Sequence, residues 1–107
     1  MKLSEVLRSL AALSQENRLR VFRALVTAGP AGSTPTTIAR RLKLQPATLS
    51  FHLKELANAG LVTQERRGRQ LIYRADYARM SSLLAYLTEN CCRGEQPSIS
   101  AKGACEC

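Results

Sequence analysis

Cys91 and Cys92 are adjacent, Cys105 and Cys107 are separated by one residue, and the first ninety positions hold no cysteine. Thiolates are soft ligands suited to zinc, Cu(I) and, by the same preference, trivalent arsenic. As(III) takes three sulfurs in a pyramid, whereas structural zinc takes four ligands in a tetrahedron. Four clustered thiols can meet either demand. Neighbouring residues on a helix point about 100° apart, so Cys91 and Cys92 converge on one ion only where the helix end frays. The twelve residues between Cys92 and Cys105 include Gly94, Pro97 and Gly103. That is slack enough to return a tail cysteine at a modest entropic cost, which thiolate bonds offset. The expected ligand set is three of Cys91, Cys92, Cys105 and Cys107, with Cys105 ahead of Cys107. A disulfide between helix end and tail would make the same thiols a redox sensor. A thiol oxidoreductase would want Cys-x-x-Cys at a helix N-terminus, and Cys91-Cys92 sits at the wrong end.

The charge points to a polyanion. Sixteen Lys and Arg, twelve of them Arg, stand against eight Asp and Glu, a formal +8 with a pI near 10.0. An evenly basic surface would only keep the protein soluble. Here the cations cluster at Arg40, Arg41, Lys43 and Lys54 and again at Arg66, Arg67, Arg69 and Arg74, the footprint of nucleic-acid binding. The chain's 107 residues allow one small core and no deep active site. Glu5, Arg8 and Ser9 interrupt the N-terminal leucines, so neither a signal peptide nor a membrane span is expected, and the reading is a cytoplasmic protein with no membrane partner. His52, the one histidine, has no second histidine or carboxylate beside it in sequence. Packing or a phosphate contact suits it better than catalysis, and no enzyme is expected.

These groups need a frame to position them. Leu3, Val6, Leu7, Leu10 and Leu13 form a one-sided helical stripe. Ser14 is read as the cap of a second helix whose inner face is Leu19, Phe22, Leu25 and Val26, stopped by Gly29-Pro30. Thr34-Pro35 opens a short helix burying Ile38 and Leu42. Leu44-Gln45-Pro46 opens another over 46–59, ended by Gly60. Two short helices around a tight turn make a helix-turn-helix. Two β-prone runs, 61–65 and 70–74, flank Arg66-Arg67-Gly68-Arg69 as a wing. Met80, Leu83, Leu84 and Leu87 mark a last helix over 76–90 that reaches the vicinal cysteines. The organisation expected is a DNA-binding and dimerisation domain over 1–90 and a cysteine-bearing sensor tail over 91–107.

With Leu49, Leu53 and Leu56 inward, the second helix of the motif leaves Ala47, Thr48, Ser50, Phe51 and Lys54 outward or flanking, and His52 at the boundary. Thr48 and Ser50 can reach base edges or phosphates, Lys54 a phosphate, and Phe51 a thymine methyl. The alternative for Phe51 is packing against the wing. Arg67 and Arg69 at the hairpin tip can reach a minor groove or neighbouring phosphates, which would offset the entropy of ordering them. Arg40 and Arg41 complete the expected DNA contacts.

The run from Gln45 to Val62, with its Ser-x-His-Leu-Lys-x-Leu-x-x-Ala-Gly-Leu-Val core, resembles the recognition segment of the ArsR/SmtB family of metalloregulatory repressors. Asn17-Arg18-Leu19-Arg20 and the wing through Tyr73 match as well, so the resemblance covers about residues 3 to 90. It implies a mainly α fold with a small β-hairpin: a winged helix-turn-helix, dimeric through its first and last helices. Leu3, Val6, Leu7, Leu10, Leu83, Leu84 and Leu87 would supply that interface. It further implies binding to double-stranded operator DNA, an imperfect inverted repeat, and departure when an inducer binds. The family's best-known arsenic and cadmium sensors carry Cys-x-Cys in the short helix before the recognition helix, where this chain has Thr36-Thr37-Ile38-Ala39-Arg40. Zinc-sensing relatives use histidines and carboxylates on the last helix, which here has no histidine. Asn90-Cys91-Cys92 resembles arsenite-sensing members with C-terminal cysteines. The implied function is a repressor of an arsenic-resistance operon with As(III) as inducer. Antimonite, methylarsenite, Zn/Cd or thiol-redox sensing on the same fold are the alternatives.

Overall fold

The computed structural model describes residues 1–89 of the chain. The expected ligands Cys91, Cys92, Cys105 and Cys107 lie outside the described residues, as does Asn90. The described part runs α1 (Leu3–Leu13), α2 (Glu16–Ala28), a 3-10 turn (Gly29–Ala31), α3 (Pro35–Leu42), α4 (Pro46–Asn58), β1 (Val62–Arg67), β2 (Gln70–Ala75) and α5 (Tyr77–Thr88). The strands form a two-stranded antiparallel sheet in the register Val62↔Ala75 to Arg67↔Gln70. None of the described helices is long and apolar enough to cross a membrane.

α2 is the central post. Its Val21, Phe22 and Leu25 are buried with Ile38 of α3, Leu49, Leu53 and Leu56 of α4, and Leu61, Val62 and Ala75 around the hairpin. Each fully buried leucine here contributes about 1.5–3 kcal/mol of transfer free energy, so this cluster fixes how α3 and α4 meet. Leu19 departs from the reading of α2's inner face. It is exposed, because a residue two positions before Val21 lies well round the helix from the buried stripe. Ser14 does not cap α2. Gln15 does, its side chain accepting from the Arg18 amide at 2.8 Å, while the Ser14 hydroxyl turns back to the Ala11 carbonyl and closes α1. The helical part of α5 stops at Thr88, short of the expected residue 90, with Glu89 already extended.

The loop before α3 is pinned to the wing. Ser33 and Tyr73 exchange two backbone hydrogen bonds of 2.9 Å, an isolated bridge that adds a third backbone beside β2. Gly32, at φ +71°, lets the chain come this close, since a Cβ there would lie 2.7 Å from both Ile72 Cγ2 and the Tyr73 carbonyl. Arg74 reinforces the joint, donating from Nε to the Pro30 carbonyl at 2.7 Å and from Nη1 to Glu65 at 2.9 Å. At the other end, Asp76 caps α5 through the Arg79 amide and its own amide donates to Leu61. The Arg79 guanidinium passes over Gly60 to meet Glu5 of α1 at 2.8 Å. The start of α5 is thereby tied to α1 and to the end of α4.

Candidate nucleic-acid interface

Thr34 caps α3 by accepting from the Thr37 amide, and Pro35 and Pro46 occupy the first turns of α3 and α4, where a missing N–H costs nothing. The turn between them is short. Leu49, Leu53 and Leu56 bury one side of α4, so Ala47, Thr48, Ser50, Phe51 and Lys54 are left exposed on the other. The expected readers therefore share one outward face. Phe51 is 54% exposed. Its ring lies beneath the Arg18 guanidinium, 5.8 Å from the centroid, and meets His52 edge-on.

His52 is a correction to the expected DNA contacts. It is buried on the inner side of α4, with Nδ1 accepting a long 3.5 Å hydrogen bond from Arg18 Nε, while Arg18 Nη1 also reaches the Ala12 carbonyl. Sequence spacing placed His52 at a boundary, and in the fold it is buried with Arg18 of α2 at its ring. Burial, and secondarily the Arg18 charge, push its pKa below the usual histidine value. A depressed folded pKa means that neutral His52 supports the fold above about pH 6.5 and that this support is lost as pH falls through the lower folded value. His52→Gln protein should accordingly show a flatter loss of urea stability between about pH 7 and pH 5 than wild type. Equal slopes in the two proteins would show that His52 carries none of it.

Charge singles out the same region. Between Glu16 and Glu55 the chain has seven cations, Arg18, Arg20, Arg23, Arg40, Arg41, Lys43 and Lys54, and not one acid. This segment holds all of α2 after its first residue, all of α3 and most of α4, so the cations there outnumber the acids that bound it, Glu16 and Glu55. In the wing, Arg66 and Arg67 end β1 rather than forming the turn, which is the two residues Gly68 and Arg69. Arg67 sits 3.3 Å from Glu65 in an exposed pair. Such pairs are worth little, so Arg67 and the exposed Arg69 are free to meet phosphates. Arg40 and Arg41 are exposed in the last turn of α3. Among the described residues no group of three metal-ligating side chains converges.

On the opposite flank, Leu3, Leu7 and Leu10 of α1 and Leu84 and Leu87 of α5 are exposed, between 39% and 59%. Val6 and Leu83, expected beside them, are instead buried in the single chain. An apolar groove of about 370 Å³ between α2 and α5, lined by Leu13, Leu19, Phe22, Val26, Met80 and Leu84 among others, extends this face.

Residues 13–65 match a family described as a helix-turn-helix domain. An ArsR-like transcriptional regulator from Rhodococcus sp. RHA1 is 31% identical, with 81% of this chain and 78% of that one covered and a TM-score of 0.71. The chain belongs to the ArsR family of transcriptional regulators. The homodimeric winged helix-turn-helix domain of Mb0332 from Mycobacterium bovis is similar at 28% identity, covering 82% of each chain with a TM-score of 0.65. The antimony-specific transcriptional repressor AntR matches at 28% identity, over 78% of this chain and 75% of that one, with a TM-score of 0.63. No match is found among curated proteins. The ArsR fold is that of DNA-binding transcriptional regulators, not of enzymes. Arg18, Arg74 and Arg79 act as struts of the fold, a role that the sequence reading, which took Arg74 only as one of the wing's cations and Arg18 only as part of the family run, did not give them. Arg18 reaches His52 34 positions away, Arg74 reaches Pro30 44 away and Arg79 reaches Glu5 74 away, beyond any local signal.

Proposed function

We propose that this protein is a homodimeric repressor of an arsenic-resistance operon that leaves its operator when As(III) binds C-terminal thiolates. The observation that carries the DNA-binding half is the exposed row Thr48, Ser50, Phe51 and Lys54 on α4, set in a stretch of chain with no acid. Two such helices related by a two-fold axis would enter successive major grooves of an imperfect inverted repeat. The exposed leucines of α1 and α5 supply apolar surface for that dimer. Homodimerisation of the Mb0332 domain supports the same arrangement.

The inducer reading rests on donor chemistry. Three of Cys91, Cys92, Cys105 and Cys107 satisfy the three-sulfur preference of As(III), and α3 offers no thiol in their place. Antimony specificity in AntR and a 30% identical structure described as a possible transcriptional regulator for arsenical resistance favour a Group 15 thiophile over zinc or cadmium. The nearest competing reading is a redox repressor using the same thiols, which peroxide would release without bound metalloid.

The DNA contacts separate by variant. Lys54→Ala should weaken binding to all duplexes and lower the slope of log affinity against log salt by about one. Phe51→Ala or Ser50→Ala should instead change the ranking of operator variants by about 1–3 kcal/mol at the contacted base pair. Fluorescence anisotropy over a salt series, paired with sedimentation to establish the dimer, measures both. A monomer that ignores duplex DNA at low salt would overturn the proposal.

A further inference from the structure

Lys43 is the only residue other than glycine with a positive φ among the described residues, at φ 57° and ψ 44°. It sits in the turn between α3 and α4, in the left-handed conformation where a Cβ is penalised and glycine or asparagine is favoured. The backbone there is served without its side chain. The Lys43 and Leu44 amides both donate to the Ala39 carbonyl, and Arg20 Nη2 reaches the Leu42 carbonyl at 3.4 Å. The ammonium has no carboxylate at ion-pair distance, since the ion pairs found among the described residues join Glu5 and Glu65 to arginines. The turn thus keeps a strained lysine where glycine would close the same hydrogen bonds. The turn's own geometry therefore accounts for the backbone of Lys43 and not for its side chain, which extends from a left-handed position of the helix-turn-helix.

We propose that Lys43 is a phosphate anchor of the operator complex, gripping the DNA backbone beside the groove that α4 enters. The proposal rests on the operator-binding reading and adds to it a contact that sets position rather than sequence. Lys43 stands three residues before Pro46, the first residue of α4, and follows Arg40 and Arg41 within the acid-free stretch. A compact ammonium on a long stem suits a phosphate as a point charge. It would hold the turn against one strand while Thr48 and Ser50 face the bases.

The test compares wild-type, Lys43→Gly and Lys43→Arg full-length proteins by thermal unfolding and by binding to a random duplex of about three helical turns, from about 50 to 200 mM salt. Lys43→Gly should melt at or above the wild-type temperature because the turn is relieved. Its affinity should nonetheless fall about three- to tenfold at the lowest salt, with the log–log salt slope smaller by about 0.9. Lys43→Arg should keep the wild-type slope. An unchanged slope in Lys43→Gly overturns the anchor, as does a lower melting temperature with unchanged binding, which would assign the lysine to the end of α3. Wild-type protein that binds no duplex would overturn the operator reading and the anchor together, whereas the first two results overturn the anchor alone.

Discussion

Cys91→Ser and Cys92→Ser proteins are expected to stay on the operator at arsenite concentrations that strip wild type, while their operator affinity without arsenite stays within about twofold of wild type, a difference well under 1 kcal/mol. Serine replaces a soft sulfur with a hard hydroxyl of nearly the same shape, which removes the As(III) ligand and little else. An inducer shifts the balance between bound and free repressor only by its differential affinity for the two states, so a protein that no longer holds it cannot respond. Moving a repressor from about 99% bound to about 1% bound requires roughly 10⁴-fold discrimination between the states, and loss of one of three sulfur bonds removes most of that. The proposed DNA surface, from Thr34 to Arg69, contains no cysteine, which is why apo binding should survive. Electrophoretic or anisotropy titration with arsenite, antimonite, zinc and peroxide on the same operator fragment decides the matter. Release of Cys91→Ser by arsenite at wild-type concentration would remove that thiol from the site, and release of wild type by peroxide alone would favour the redox alternative. Loss of operator binding in the apo variants would make the thiols structural.

α4 was readable in the sequence because its determinants are local: Pro46 at the start, leucines at helical spacing, and Gly60 past the end. The hairpin was readable for the same reason, although Arg66 and Arg67 belong to β1, since a two-residue turn at Gly68-Arg69 needs no more. What escaped was set by distant packing. His52 reads as a boundary residue by angle alone, yet it is buried, with Arg18 of α2 at its ring. The leucines of α1 form one stripe in sequence, but the single chain turns Val6 inward and leaves Leu3, Leu7 and Leu10 outside. Leu19 looked like core on α2 and is not. Each of these depends on where a second element lies, and helical periodicity reports only that a face is apolar, not whether its own chain or another copy covers it.

Gly32→Ala is expected to be the most damaging single substitution in the wing's attachment, costing about 2–4 kcal/mol of stability. Two penalties act together. The backbone there, at φ 71° and ψ −167°, lies in a region essentially reserved for glycine. The added methyl would also stand 2.7 Å from Ile72 Cγ2 and the Tyr73 carbonyl, inside the distance at which the Ser33 and Tyr73 bonds form. Gly29 separates the two effects. Its φ is 72° but nothing lies within 4 Å of its would-be Cβ, so Gly29→Ala should show the conformational penalty alone, about 1–3 kcal/mol. The difference between the two variants in urea denaturation measures how tightly the α2–α3 loop is pressed onto β2. Because Ser33 is two residues from Pro35, where α3 begins, loosening this joint should also uncouple the wing's Arg67 and Arg69 from the helix-turn-helix. Gly32→Ala should therefore lose operator affinity more than Gly29→Ala when both are compared at temperatures where each is fully folded. Equal stability losses in the two proteins would show that strain, and not the close approach to Ile72 and Tyr73, sets the glycine at position 32.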